Sequence, residues 1–503
     1  MKHRLLSITT LFLMAITACT QEKEQPNVLF IAIDDLNDWV GAFGGNPQML
    51  TPHMDELASQ SVVFQNANCP GPVCGPSRSA LLSGYMPYTT GAYSNSNNIL
   101  DSDIVQSHAT LPEYFSKNGY VTISKGKIFH KHTTNNGVDH GHWAYDIWEQ
   151  EKGGGGLQED KLYSRNKSII NGKKVENNPN SSGGGTEFSW GPTEGGKEET
   201  KDYLTAQWFA EQLKKDHDKP FFMAVGISKP HLPWYVPEEY FDMYDLDSLK
   251  IPEYRLDDLD DIVNQDGKKM FSPSDDFLWV QQDEELFKRA VRAYMAASTY
   301  ADDCVGVVLE ALKKSKYADN TIIVLFGDHG WHLGEKLKFR KASLWKESTQ
   351  LPLMIKLPDM ESQQYCSRTV NLIDLYPTLI DLCGLPEKEL DGESIVPLLE
   401  NPEKEWHPTT TSRGPGAHSV ISEDWHYINW GNGTEELYNL KNDKMEWNNL
   451  VRTESDEVRE ALGYLKKYFP ENDAPMLPKV VKNKTLTDLD LTIKERRDLD
   501  KLN

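Results

Sequence analysis

Val28-Leu29-Phe30-Ile31-Ala32-Ile33-Asp34-Asp35 sets an unbroken apolar run directly before two acids. A run without polar alternation reads as a strand buried on both faces. Three further segments repeat the arrangement. Residues 121–124 lead to Lys127 and His130, Phe221–Ile227 to Lys229 and His231, and residues 321–326 to Asp328 and His329. Helical patterns lie between them. Leu204, Trp208, Phe209 and Leu213 share one face, as do Val291, Tyr294, Ala301, Val305, Val308 and Leu312. Strands alternating with helices predict an α/β fold with a large, mostly parallel sheet sandwiched by helices. The carboxyl ends of parallel strands share one edge, and ligands bind there. The pattern therefore predicts a single mouth with acids, bases and cations from four segments.

The rest of the chain bounds what that mouth serves. With 503 residues and a formal net charge of −23, the protein is long enough for more than one domain and too acidic to suit nucleic acid or an anionic membrane surface. An acidic enzyme acting on an anion needs a local basic pocket against its own field. Glycine runs at 153–156, 183–185 and 195–196 predict a long surface insertion with little regular structure over residues 153–201. A second polar, acidic stretch covers 256–284. Residues 395–399 read as the last helix of a catalytic domain spanning 27–402. Short strands over 420–430 and 437–440 predict a smaller C-terminal α+β subdomain, 403–480, followed by a charged tail, 481–503.

At the other end, Lys2, His3 and Arg4 precede an apolar run over residues 5–16 that is too short to span a bilayer comfortably. Ile16-Thr17-Ala18-Cys19 follows. Small residues before a Cys at that point resemble the bacterial lipoprotein signal. The resemblance implies removal of residues 1–18, a lipid on Cys19, a polar tether over 19–26 and a lipid-anchored place in the bacterial envelope. Such a compartment permits disulfides. Spacing leaves Cys69, Cys304, Cys366 and Cys383 open between pairing and buried free thiols.

The chemistry turns on Cys74-Gly75-Pro76-Ser77-Arg78-Ser79-Ala80-Leu81-Leu82-Ser83-Gly84. The pattern C-x-P-S-R-x-x-x-L-x-G resembles the signature of formylglycine-dependent sulfatases, with every fixed position present. The resemblance implies an alkaline-phosphatase-like fold. It also implies that a maturation enzyme oxidises Cys74 to formylglycine, whose hydrated gem-diol supplies the nucleophilic oxygen. A sulfate ester is a stable anion, so an anionic nucleophile needs its charge neutralised; a hard divalent cation does this. Asp34, Asp35 and Asp328 offer hard oxygen ligands suited to calcium, and clustered acids repel one another without one. The resemblance places Asp34, Asp35, the residue at Cys74, Asp328 and His329 around calcium. His329 stands where many sulfatases have Asn, and imidazole is softer than calcium usually prefers.

Cations complete the pattern. Arg78, one helical turn from Cys74, can offset the acids and hold the formylglycine hydroxyl. By resemblance Lys127 and Lys341 bind sulfate. His130 takes the proton from the second gem-diol hydroxyl to expel sulfate. His231, in Ser228-Lys229-Pro230-His231-Leu232-Pro233, serves as general acid to the leaving group. His418 and His332 are the next candidates for that acid. Asp34-Asp35-Leu36, Gly126 to His130 and Gly327-Asp328-His329-Gly330-Trp331 bring the chain nearest the iduronate-2-sulfatase group. Departures at 153–201 and 412–418 fall where substrate subsites are shaped. The implied substrate is a sulfated oligosaccharide or polysaccharide, either an algal glycan such as ulvan or a uronate 2-O-sulfate of a glycosaminoglycan. Two other readings stand beside it. One is a phosphonate or phosphodiester hydrolase, which shares the Cys motif. The other is an inactive glycan-binding lipoprotein, against which the intact set of residues argues.

Overall fold

The computed structural model describes residues 25–130, 141–175 and 187–479. Cys19, the segment before it and the charged tail lie outside the described residues. Seven consecutive buried residues make β1 (Asn27–Ile33) a central strand of an eight-stranded sheet. The others are β2 (Val62–Asn68), β3 (Val121–Gly126), β4 (Ile147–Trp148), β5 (Phe221–Ile227), β6 (Thr321–Gly327), β7 (Gln350–Lys356) and β8 (Gln364–Asn371). Their order is β8-β2-β7-β6-β1-β5-β3-β4, and only β7 runs antiparallel to its neighbours. The sheet is thus mostly parallel, as the apolar runs predict.

Side chains of β1 alternate between two cores. Leu29, Ile31 and Ile33 pack with α2 (Lys201–Gln212) and α3 (Glu284–Lys313), through Phe209, Val291, Tyr294 and Val305 among others. Val28, Phe30 and Ala32 pack on the opposite face with Leu81 and Leu82 of α1 (Cys74–Ser83) and with Phe115, Leu375 and Leu379. Both faces being covered by helices is what makes the strands continuously apolar. All six residues of the predicted stripe on α3 are buried. The result is a three-layer sandwich of helices, mostly parallel sheet and helices, the architecture that the sequence predicts.

Register brings the strand ends level. Ile33 pairs with Gly327 of β6 and with Ile227 of β5. The Asp34 amide donates to the Ile227 carbonyl (3.0 Å), and the Asp328 amide to that of Ile33 (3.2 Å). Gly126 ends β3 with φ of 82°, and a Cβ there would lie 1.9 Å from the Gly226 carbonyl oxygen. Only glycine allows that turn and approach, which bring Lys127 to the shared edge.

Residues 153–201 correct the expectation of a surface insertion with little regular structure. They carry most of a second, five-stranded sheet, ordered Trp234–Pro237, Ser189–Thr193, Tyr163–Ser164, Ile169–Ile170 and Lys173–Lys174. Ser189–Thr193 is buried throughout. Trp190 stacks on Tyr163 at 5.4 Å and meets Trp234 and Trp279, so this sheet is fixed by an aromatic core. Two-residue strands have no measurable period, and the glycines around them concealed the aromatics. The polar stretch after residue 256 likewise contains a short helix, Asp275–Val280, which buries Phe277 and Trp279.

Near the C-terminus, β9 (Thr409–Gly414), β10 (Ala417–Ile421), β11 (Trp425–Trp430) and β12 (Glu435–Asn439) form an antiparallel meander. It packs against α4 (Asp456–Leu465) through Val420, Tyr427, Leu437 and Leu465. Trp430 joins Trp345 and Phe271 across to the large sheet's side. Cys69, Cys304, Cys366 and Cys383 are buried free thiols.

Candidate active site

Cys74 is the first residue of α1 and is fully buried. Every side chain of α1 is buried although the helix is only weakly apolar, because its first turn packs into a polar cluster rather than oil. The Lys341 ammonium lies 2.9 Å from Cys74 Sγ, His329 Nε2 3.4 Å and Asp35 Oδ1 3.8 Å. Lys341 also bonds Asp35 Oδ1. Arg78, one turn along, sends Nε to Asp328 Oδ2 (2.7 Å) and Nη2 to Asp34 Oδ1 (3.3 Å). Its Nη1 donates to the carbonyls of Lys127 and Ile128 at 2.5 and 3.0 Å. The Lys127 ammonium meets Asp34 Oδ2 at 2.5 Å. Three strand ends, the loop bearing Lys341 and one helix start thus converge on a few ångströms.

Burial sets the electrostatics. Dehydration alone would raise the Cys74 thiol, but Lys127, Lys341 and His329 hold it well below its ordinary value. Burial and the Cys74 charge push Asp34 upward, yet Lys127, His231 and Arg78 outweigh them and keep it a firm carboxylate. Asp328 goes the other way: burial pushes it up to about 6 despite Arg78 and His329. Burial lowers His329, and the adjoining Asp328 more than compensates, lifting it to about 9. His130 is pushed down by burial.

The cluster fits a divalent cation. Ligand atoms of Asp34, Cys74, Asp328 and His329 lie within 4.8 Å of one another, and so do those of Asp34, Asp35, Cys74 and His231. Among the described residues, Asp35 Oδ2 is buried with no hydrogen-bond partner. An orphaned buried oxygen costs about 1–3 kcal/mol, more when charged, and a hard cation is the natural remedy. Asp35 adopts φ of 63°, a left-handed turn directly after the strand. All five residues expected around calcium are therefore neighbours, His329 included.

A cavity of 780 Å³ opens on this cluster. Asp34, Lys127, His130, Lys229 and His231 line it. His231 is a quarter exposed; its Nδ1 sits 2.5 Å from the Leu232 carbonyl oxygen and its Nε2 3.9 Å from Asp35 Oδ2. His332 and His418 do not line the cavity. His332 Nε2 pairs with Ser343 Oγ at 2.8 Å. His418 pairs with Ser412 Oγ (2.8 Å) and Asp473 (2.9 Å).

Sequence reasoning missed several supports. Asn95 Oδ1 accepts the Gly75 amide at 2.7 Å, and Asn95 also lines the cavity. Asp202, in the first turn of α2, accepts the amides of Ser228 (3.0 Å) and Lys229 (2.8 Å) and so fixes the loop carrying His231. The hydroxyl of Ser77 donates to the Asp328 carbonyl at 2.5 Å. Ser77 was visible as a fixed motif position without a role; Asn95 sits in a polar run with no signal. Lys341 arrives on a loop with left-handed residues at Lys336, Leu337, Arg340 and Ala342. Buried pairs pin that loop: Lys336 to Asp258 at 2.8 Å, and Arg340 to Asp276, which also holds Arg165 at 2.6 Å.

Comparison with known proteins gives concordant results. The sulfatase family model matches residues 26–385. A model described as N-sulphoglucosamine sulphohydrolase, C-terminal, matches 327–468. A sulfatase of Formosa agariphila is 35% identical over 465 residues, 90% of this chain and 88% of that protein. Mouse (Mus musculus) iduronate 2-sulfatase is 30% identical, covering 72% of this chain and 69% of that one. Among solved structures, the phosphonate monoester hydrolase of Agrobacterium radiobacter superposes with a TM-score of 0.66 at 20% identity, over 88% of this chain and 94% of that one; at that identity the likeness shows the fold alone.

Proposed function

Because this chain belongs to the sulfatase family and is a sulfuric ester hydrolase, we propose that it releases sulfate from an acidic sulfated sugar, with residue 74 as formylglycine and calcium bound beside it. The carrying observation is the setting of Cys74: buried at a helix start, between Lys341 and His329, with Asp34, Asp35 and Asp328 around it. The 30% identical iduronate 2-sulfatase supports a uronate sulfate as the sugar class.

Asp34, Asp35, Asp328 and His329 would hold calcium, which would supply charge neutralisation to the bound sulfate, and residue 74 as hydrated formylglycine would supply the attacking oxygen. The chain's own residues do the rest. Lys127, after β3, and Lys341, on its own loop, both reach the cluster and stabilise sulfate oxygens as charge builds on them. Arg78 spans Asp34 and Asp328, keeping both carboxylates oriented. His130 is held neutral by burial, so it can accept a proton from residue 74. His231, on the cavity wall, gives a proton to the departing sugar oxygen.

That last role is separable by experiment. A sugar hydroxyl leaves poorly without a proton, whereas a nitrophenolate hardly needs one. His231→Ala therefore lowers kcat on a sulfated sugar by roughly two to four powers of ten, and on an activated aryl sulfate far less. Equal losses on both substrates would place the acid elsewhere. Assaying phosphate and phosphonate esters in parallel discriminates the hydrolase reading.

We further propose that an envelope maturation system oxidises Cys74 and that a lipid on Cys19 anchors the mature protein. Cys19→Ala then moves the protein from the membrane fraction to the soluble one with turnover intact. Unchanged partitioning would contradict the anchor.

A further inference from the structure

The cavity lining extends beyond the sulfate-binding cluster and includes cations that the chemistry above does not use. Lys201 and Lys229 both line it. Neither ammonium has a carboxylate oxygen within 4.0 Å among the described residues. Lys229 Nζ donates to the carbonyls of His231 (3.1 Å) and Pro233 (2.6 Å), which leaves its third hydrogen uncommitted. Lys201 is exposed, at the first position of α2. Burial holds Lys229 below its ordinary value, at about 8; Asp202, Asp34 and Asp35 oppose that shift and Lys201 adds to it, so the two lysines are near enough to feel one another. Lys229 thus links the reaction centre to Lys201.

Acids that line the cavity are occupied. Asp202 spends its two oxygens on the amides of Ser228 and Lys229, Asp34 is held by Arg78 and Lys127, and Glu151 has a partner of its own. In a chain of net charge −23, two cavity-lining lysines with no ion pair among the described residues run against the global field. An anionic ligand in the cavity would be met by Lys201 and by the uncommitted hydrogen of Lys229.

Resting on the sulfatase reading, we propose that Lys201 and Lys229 form a subsite for a second anionic group of the substrate, a carboxylate or a second sulfate, on the sugar that carries the scissile ester. The cavity's 780 Å³ holds at least one sugar ring between the two anion sites. Space for that ring comes partly from Gly154 and Gly155, which line the cavity without side chains. The subsite selects doubly anionic sugars over singly sulfated neutral ones.

Calorimetric titration of the full-length Cys74→Ala protein, which binds without turnover, reads the subsite directly. Three probes are used with calcium present: a methyl glucuronoside 2-sulfate, its carboxyl-reduced glucoside 2-sulfate, and that glucoside with a second sulfate at C6. The subsite predicts that at least one dianion binds about tenfold more tightly than the neutral-ring monosulfate. Whichever dianion does so identifies the second group as carboxylate or sulfate. Adding Lys201→Met cuts the gap to about threefold or less and leaves monosulfate binding unchanged; Lys201→Arg restores it. Equal affinity for all three probes, or a gap that survives Lys201→Met, overturns the proposal. Aryl sulfate turnover by matured wild-type protein tests the sulfatase reading separately, so failure of one is not mistaken for failure of the other.

Discussion

Cys74→Ala protein, expressed with a competent maturation system, loses sulfate ester hydrolysis by about five to six powers of ten, the scale seen when a nucleophile is deleted. It melts close to the parent. Alanine is the best helix former, and the change falls at the first residue of α1, where a small side chain is replaced by a smaller one. The cavity term costs about 1 kcal/mol. Loss of activity with an intact fold, read by turnover and circular dichroism together, separates chemistry from structure. Residual turnover within a hundredfold of wild type would mean that residue 74 is not the nucleophile.

Exhaustive chelation abolishes turnover just as completely, and calcium restores it. Asp34, Asp35, Asp328 and His329 crowd their ligand atoms beside residue 74, and among the described residues Asp35 Oδ2 is left without a hydrogen-bond partner. Arg78, Lys127 and Lys341 offset part of the negative charge, but each is already bound to a carboxylate. A cation bound only by the native state adds ~2.7 kcal/mol at a hundredfold excess over its Kd. The melting temperature therefore falls on chelation and recovers with calcium in a concentration-dependent way. A rate and a melting temperature both unchanged by metal removal would exclude a cation from this cluster.

Much of this arrangement was legible in the sequence, for identifiable physical reasons. Strands β1, β5 and β6 are buried on both faces, so they appear as unbroken apolar runs with their polar residues forced to the ends. The stripe from Val291 to Leu312 is visible because α3 is long enough to repeat its period. Asp34, Lys127, His231 and Asp328 follow from strand ends meeting at one edge. What stayed hidden depends on contacts rather than on pattern. Nothing local marks Asp202 as the clamp on the His231 loop, since its partners lie 26 and 27 residues away. The reversed direction of β7 leaves no trace in composition. The sheet built on Trp190 escaped because its strands are as short as two residues and its flanks are glycine-rich. That same region supplies Leu157, Thr193 and Lys201 to the cavity, so the least legible segment is the one that shapes the substrate site.

Mass spectrometry of the peptide bearing residue 74, taken from protein of measured specific activity, tests the central claim most directly. The account predicts a residue lighter than cysteine by one sulfur and two hydrogens and heavier by one oxygen, in a fraction that rises in proportion to sulfate-releasing activity. Fully active protein carrying an unmodified Cys74 thiol would contradict it.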